Sequence, residues 1–193
     1  MRRSLQIFAL LALIAVVVIG VAQAGGEAED ASTSGRFDLG AAKRELAGAP
    51  APLAALHADA NELLPGGRKA FDARMRSLRG YPVVVNKWAS WCGPCLIEFP
   101  YFQAAATRHG KEIAFVGVDS DDNRGQAATF LRDNPVPFPS YDDPDEKIAG
   151  RFARTAFPTT VFIDERGETA YIHQGQYRSE RDLTADIDRY LRR

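Results

Sequence analysis

The chain has 193 residues, with 24 Lys plus Arg against 25 Asp plus Glu, and 46% of its residues are hydrophobic. This balance excludes a disordered or supercharged chain and gives no basic surface for nucleic acid. The only cysteines are Cys92 and Cys95, which excludes the small scaffolds stapled by several disulfides. Removing an apolar N-terminal segment leaves about 160 residues, enough for one ordinary domain with its own core.

Arg2 and Arg3 precede an almost wholly apolar run over residues 5–24, and Glu27, Glu29 and Asp30 follow it. At about 1.5 Å per residue this run is long enough to cross a bilayer core. The charge bias predicts a cytoplasmic N-terminus and an extracytoplasmic C-terminal domain, hence a single-pass cell-membrane protein. Ala22-Gln23-Ala24 is also a small-x-small cleavage pattern, so residues 1–24 are either a signal-anchor or a signal peptide whose removal releases a secreted protein. No cysteine lies near the end of the run, which excludes a lipid-anchored lipoprotein. The small, acidic and polar residues 25–36 predict a flexible linker, and residues 37–193 a folded domain.

Residues 37–64 hold leucines among many alanines, with a break at Ala49-Pro50-Ala51-Pro52 followed by a short helix. Phe71, Met75 and Leu78 stand at helical spacing before a turn over Arg79-Gly80-Tyr81-Pro82. Val83-Val84-Val85 predicts a strand buried on both faces. Leu96, Ile97, Phe99, Phe102 and Ala106 predict a helix from Pro94 to about His109, bent at Pro100. Ile113 to Val118 is a second buried strand and residues 123–132 the returning helix, which makes a βαβ unit with a right-handed crossover. A proline-rich excursion over 135–141 follows, and Asp142 or Asp143 before Pro144 predicts a capped short helix reaching Phe152. Thr159 to Asp164 and Thr169 to His173, joined by Glu165-Arg166-Gly167, predict an antiparallel hairpin. Leu183, Ile187, Tyr190 and Leu191 mark one face of a closing helix over 179–191. This order is α/β and matches the thioredoxin arrangement. It has a central mixed sheet flanked by helices, an N-terminal extension, and an insertion before the strand that follows Pro158.

Trp91-Cys92-Gly93-Pro94-Cys95 places a C-x-x-C pair where a buried strand gives way to a helix. Cys92 then sits at a helix N-terminus, where unpaired N–H groups and the dipole favour the thiolate and make it the nucleophile. Cys95 lies one turn in, within reach of a mixed disulfide as the resolving thiol, and Pro94 suits a helix start. Half of a zinc site is the alternative, but Ile113, Ala114 and Phe115 stand where its second histidine belongs, so no metal is expected. Trp91 is expected at an apolar rim beside an exposed Cys92 sulfur, and Trp88 in packing. Phe157-Pro158 precedes a strand; a cis Pro158 there would present the Phe157 backbone to an extended substrate and keep metals from the cysteines. Glu98 follows Cys95 by one helical turn, either partly buried with a raised pKa as proton donor and acceptor for Cys95, or exposed on the helix surface. Lys87 either tunes the thiols or reaches solvent. His57, His109 and His173 are scattered and read as structural, while Phe138, Pro139 and Tyr141 either edge a substrate groove or pack the excursion.

From about Tyr81 to the C-terminus the chain resembles the thioredoxin superfamily, in particular its membrane-anchored extracytoplasmic TlpA/ResA-like branch. The resemblance rests on Val84-Val85-Asn86-Lys87-Trp88-Ala89-Ser90-Trp91-Cys92-Gly93-Pro94-Cys95, Glu98-Phe99-Pro100 and Phe157-Pro158-Thr159-Thr160-Val161-Phe162-Ile163-Asp164. It implies a thiol-disulfide oxidoreductase with Cys92 as nucleophile, Cys95 as resolving thiol and Glu98 as the acid serving the pair. Trp91, Phe157 and a cis Pro158 would meet substrate, while Gly93, Pro94 and Lys87 would tune the couple. Asn86 stands where cytoplasmic thioredoxins carry a buried aspartate, and Lys87 where the anchored branch often has phenylalanine. The resemblance further implies a monomer without cofactor that reduces protein disulfides, including the heme-binding thiols of apocytochrome c, fed by a membrane dithiol carrier of the CcdA/DsbD type.

The same site serves a disulfide donor if its potential and partner differ. A non-catalytic binding or chaperone module on this fold is the alternative from another class. A peroxidase would need threonine where Ala89 stands, and neither G-x-S-x-G nor G-x-G-x-x-G occurs, so electrons are expected to arrive by thiol exchange. Residues 36–80 match the family poorly and imply no substrate contact.

Overall fold

The computed structural model describes residues 36–152 and 155–192. The expected membrane segment 1–24 and the linker up to residue 35 lie outside them, and among the described residues no helix is long and apolar enough to cross a membrane. The elements begin with α1 (Leu39–Glu45), α2 (Ala51–Ala58), β1 (Leu63–Leu64), α3 (Gly67–Ser77), β2 (Val83–Trp88) and α4 (Gly93–His109). They continue with β3 (Ala114–Ser120), α5 (Arg124–Asp133), β4 (Ser140–Asp143), a 3-10 turn (Ala149–Arg151), β5 (Thr159–Ile163), β6 (Thr169–Gln174) and α6 (Glu180–Leu191).

The sheet runs β1-β4-β3-β2-β5-β6, parallel from β1 to β2 and antiparallel from β2 to β6. This is the expected mixed sheet flanked by helices, a thioredoxin-like fold. Every residue of β2 is buried, because the strand lies between β3 and β5 with a helical layer on each face. Its pleat sends Val84 and Trp88 into one core with Phe99, Phe102, Phe115, Leu183 and Ile187. Val83 and Val85 enter the other, with Leu53, Leu56, Phe71, Val116 and Ile148.

Local chemistry fixes the helix ends. Asn123 Oδ1 accepts from Gly125 N at 2.9 Å and Gln126 N at 3.2 Å to start α5, and Ser179 Oγ accepts from Asp182 N at 3.2 Å to start α6. Trp88 packs as expected, stacked on Phe130 at 5.1 Å and edge-on to Phe99 at 5.4 Å, with Nε1 donating to Ser140 Oγ at 3.1 Å. Only glycine fits at Gly117, since a Cβ there would lie 2.1 Å from Ser140 Oγ.

Two expectations are corrected. The excursion over 135–141 ends in strand β4, which pairs with the two-residue β1; its Phe138 and Tyr141 are buried core residues, which is the packing alternative and not the groove edge. The helix expected to reach Phe152 is only the turn Ala149–Arg151. The Asp143 carboxylate does act as a cap, but its acceptors go to Ile148 N and Ala149 N, both at 2.9 Å, so residues 144–147 stay in a turn.

Candidate active site

β2 ends at Trp88, and the chain turns through Ala89-Ser90-Trp91 into α4. Ser90 N and Oγ both donate to the Asp122 carboxylate, the hydroxyl at 2.9 Å, and Trp91 Nε1 donates to Asp121 O at 2.8 Å. These bonds tie the turn to the β3–α5 connection. Cys92 is the N-cap of α4, its Sγ accepting from Cys95 N at 3.2 Å, so the sulfur faces the unpaired N–H groups of the helix start.

Cys92 and Cys95 form a disulfide with Cα atoms 5.3 Å apart. Contrary to the exposed sulfur expected from the sequence, Cys92 is only 3% exposed. Trp91, Leu96 and Ile97 are the exposed large hydrophobic residues among those described, so apolar surface surrounds the covered pair. Gly93 and Pro94 form the exposed first turn of α4. The Phe157 ring lies 4.9 Å from that of Trp91, and the Phe157–Pro158 peptide is cis. The stretch Trp91–Cys95 and Phe157 are thus brought together from two segments of the chain.

Glu98 is fully buried, which removes the surface alternative. Its Oε1 accepts from Asn86 Nδ2 at 2.8 Å and its Oε2 from Tyr177 N at 3.2 Å. Burial pushes the carboxyl up to about 7, against the pull of those two donors. An acid one turn below Cys95 that is about half protonated at neutral pH can take and return a proton.

Lys87 does not reach solvent. It is buried with its Nζ 2.9 Å from Glu146 Oε1 and 3.7 Å from the centre of the Phe157 ring. Sequence reasoning had no means of finding Glu146, 59 positions away. It also missed Asp119, which is buried at the end of β3 with no donor to either carboxyl oxygen. Burial, then the neighbouring Asp122, Asp142 and Asp143, push its carboxyl up to about 9, so it stands protonated at neutral pH. The run Asp119-Ser120-Asp121-Asp122 in the sequence was the available signal. The histidines are dispersed: His57 on α2, His109 buried 2.9 Å from Arg192, and His173 stacked on Tyr177 at 4.0 Å between ring centres. Among the described residues no group of His, Cys, Asp or Glu is arranged to hold a metal ion.

A mixed sheet with a cysteine pair capping the helix after its central strand, and a cis proline leading into the antiparallel strand beside it, defines the thioredoxin-like class. Residues 46–187 match the Redoxin family, and the chain belongs to it. It is 36% identical over 115 residues to the thiol:disulfide interchange protein DsbE homolog of Paracoccus denitrificans, covering 58% of this chain and 60% of that one. It is 28% identical over 95 residues to the thiol-disulfide oxidoreductase ResA of Bacillus cereus, covering 49% of this chain and 55% of that one. The chain thus spans little more than half the length of the curated relatives it matches. Among solved structures it superimposes on MTB DsbF with a TM-score of 0.55 and 31% identity, over 60% of this chain and 84% of that one. A DsbF homologue from Corynebacterium diphtheriae gives a TM-score of 0.51 and 26% identity, over 60% of this chain and 75% of that one.

Proposed function

We propose that the protein is a thiol-disulfide oxidoreductase working outside the cytoplasmic membrane, where it reduces protein disulfides, apocytochrome c among them. One observation carries the reading: a cysteine pair caps α4 while Glu98, on the same helix, is buried with a pKa of about 7. The relatives named for disulfide interchange support it. In this reading residues 37–193 form the working domain, held near the membrane by residues 5–24 through the linker 25–36, and the protein acts as a monomer. Cleavage after Ala24 would instead release the same domain.

The reduced protein attacks with the Cys92 thiolate, stabilised by the start of α4, on one sulfur of the substrate disulfide. That S–S bond breaks, one substrate thiolate leaves, and a mixed disulfide forms on Cys92. Cys95 gives its proton to Glu98 and attacks Cys92 Sγ; the second substrate thiolate leaves and the Cys92–Cys95 bond closes. Two electrons pass to the substrate. The two protons, one released earlier from Cys92 and one moved through Glu98, end on the product thiols. Trp91 and Phe157 form the surface on which the substrate chain lies, the buried cis Pro158 fixes the direction of the Phe157 backbone, and Gly93 and Pro94 set the spacing of the pair. A membrane dithiol carrier of the CcdA/DsbD type returns the electrons by the same exchange in reverse.

The test is the reduction potential of the Cys92–Cys95 couple in glutathione or dithiothreitol buffers, read by thiol alkylation. A value near about -270 mV is expected for a reductant. One near about -120 mV marks a disulfide donor and overturns the reductase reading. A pair that does not exchange with either buffer marks a binding or chaperone module instead.

A further inference from the structure

Asn86 and Lys87 are consecutive on β2, so they face opposite layers of the fold. Asn86 meets Glu98 on the α4 side, whereas Lys87 shares the face of Val83 and Val85. The Lys87 side chain is only 4% exposed. Burying an ammonium is costly unless an opposite charge and hydrogen bonds offset the lost hydration.

The carboxylate that meets it is presented by a built turn. Glu146 adopts φ 53, the left-handed region that a non-glycine residue enters only when its surroundings fix it there. Its N–H donates to Asp143 O at 3.0 Å, and its carbonyl accepts from Gly150 N at 2.8 Å. The Asp143 carboxylate closes the turn by accepting from Ile148 N and Ala149 N. On its other side the Lys87 ammonium lies 3.7 Å from the Phe157 ring centre, and that ring packs on Trp91 at 4.9 Å. A continuous path of contacts runs from the insertion to the rim of the cysteine pair.

We propose that Lys87 is a positioning residue: fixed by Glu146, its ammonium holds the Phe157 ring against Trp91 and sets the shape of the rim on which a protein disulfide docks. The inference rests on the oxidoreductase reading and adds to it a docking device carried by the insertion before Pro158. Cation–ring attraction is stronger for a buried ammonium than for an exposed one, and the Lys87 side chain is buried. The sheet separates this ammonium from Glu98, so its removal should alter docking rather than the couple.

The test uses the full-length protein in detergent, with insulin as the protein disulfide and dithiothreitol as electron source. K87M should raise KM for insulin about tenfold and leave kcat and the reduction potential at their wild-type values. E146Q, which keeps the lysine, should raise KM in the same direction by less, and it carries the test if K87M does not fold. F157L added to K87M should raise KM no further than F157L alone. By NMR, the Lys87 ε-methylene protons should be shifted upfield by the Phe157 ring and lose that shift in F157L. A changed potential with unchanged KM, additive effects of K87M and F157L, or an unshifted methylene overturns the proposal. A wild-type protein that reduces neither insulin nor a small aromatic disulfide refutes the oxidoreductase reading alone, because the NMR shift still reports where Lys87 sits.

Discussion

Replacing Glu98 with glutamine should stabilise the oxidised protein at alkaline pH and change it little in acid. In the folded chain the carboxyl titrates at about 7, against an ordinary value of 4.5. Between those values the folded protein holds a proton that the unfolded chain has released, so stability falls as pH rises through this window. At 1.36 kcal/mol per pH unit the burden comes to about 3 kcal/mol, absent below pH 4.5 and fully present above about pH 7. Glutamine removes the charge without adding to the number of buried groups left unpartnered. Asn86 Oδ1 is buried without a partner, so rotating the Asn86 amide lets that oxygen accept from the new side-chain NH2 while Asn86 Nδ2 takes over the unpartnered position. The new carbonyl then accepts from Tyr177 N, as Glu98 Oε2 does now. Urea denaturation of the disulfide-intact protein at pH 4.5 and pH 8 measures the effect as a difference of differences. A gap between E98Q and wild type that is the same at both pH values, or that favours wild type at pH 8, refutes the reasoning. In the reduced protein the same substitution should slow release of the second substrate thiol about 10²-fold and remove an inflection near pH 7 from the rate profile.

Two further outcomes are expected. Cys95→Ser should accumulate mixed disulfides with protein substrates, whereas Cys92→Ser should form none; non-reducing gels after thiol trapping report this, and adducts held by Cys95 would reverse the assigned roles. Asp119→Asn should raise stability at pH 7 by about 4 kcal/mol, because the wild-type folded state must keep a proton that an ordinary aspartate, titrating at 3.8, has lost. That gain should shrink toward pH 4, and an Asn variant less stable than wild type at pH 7 would count against a protonated Asp119.

What could be read from the sequence was whatever is local. The Val83-Val84-Val85 run, the spacing of Phe99 and Phe102, and the hairpin around Gly167 each carry their periodicity within a few residues, and each element stands where expected. The C-x-x-C pair and Pro158 each sit in a short contiguous motif of their own, and Glu98 follows from the helical period of the first. Strand β4 stayed hidden because Ser140-Tyr141-Asp142-Asp143 has no apolar alternation. Its fully buried polar residues are bonded from outside the strand, Ser140 by Trp88 and Asp143 by Ser120, Ile148 and Ala149, while Asp142 Oδ1 is left without a partner. The Lys87–Glu146 contact and the role of Tyr177 N are tertiary in the same sense: no spacing rule brings these groups together. Asp119 shows that a charge cluster reads as solvated surface until burial is known.

The pleat of β2 acts as an insulator. Positions 86 and 87 differ by one step along the strand, yet one meets a half-protonated acid and the other a fixed ion pair. A register slip of one residue would exchange the two faces and swing the lysine toward Glu98. There an ammonium would lower the acid's pKa and leave it too weak a base to take the Cys95 proton near neutral pH. The fidelity of pairing with β3 and β5, six partners on one side and five on the other, therefore keeps two electrostatic environments apart within the thickness of a single sheet.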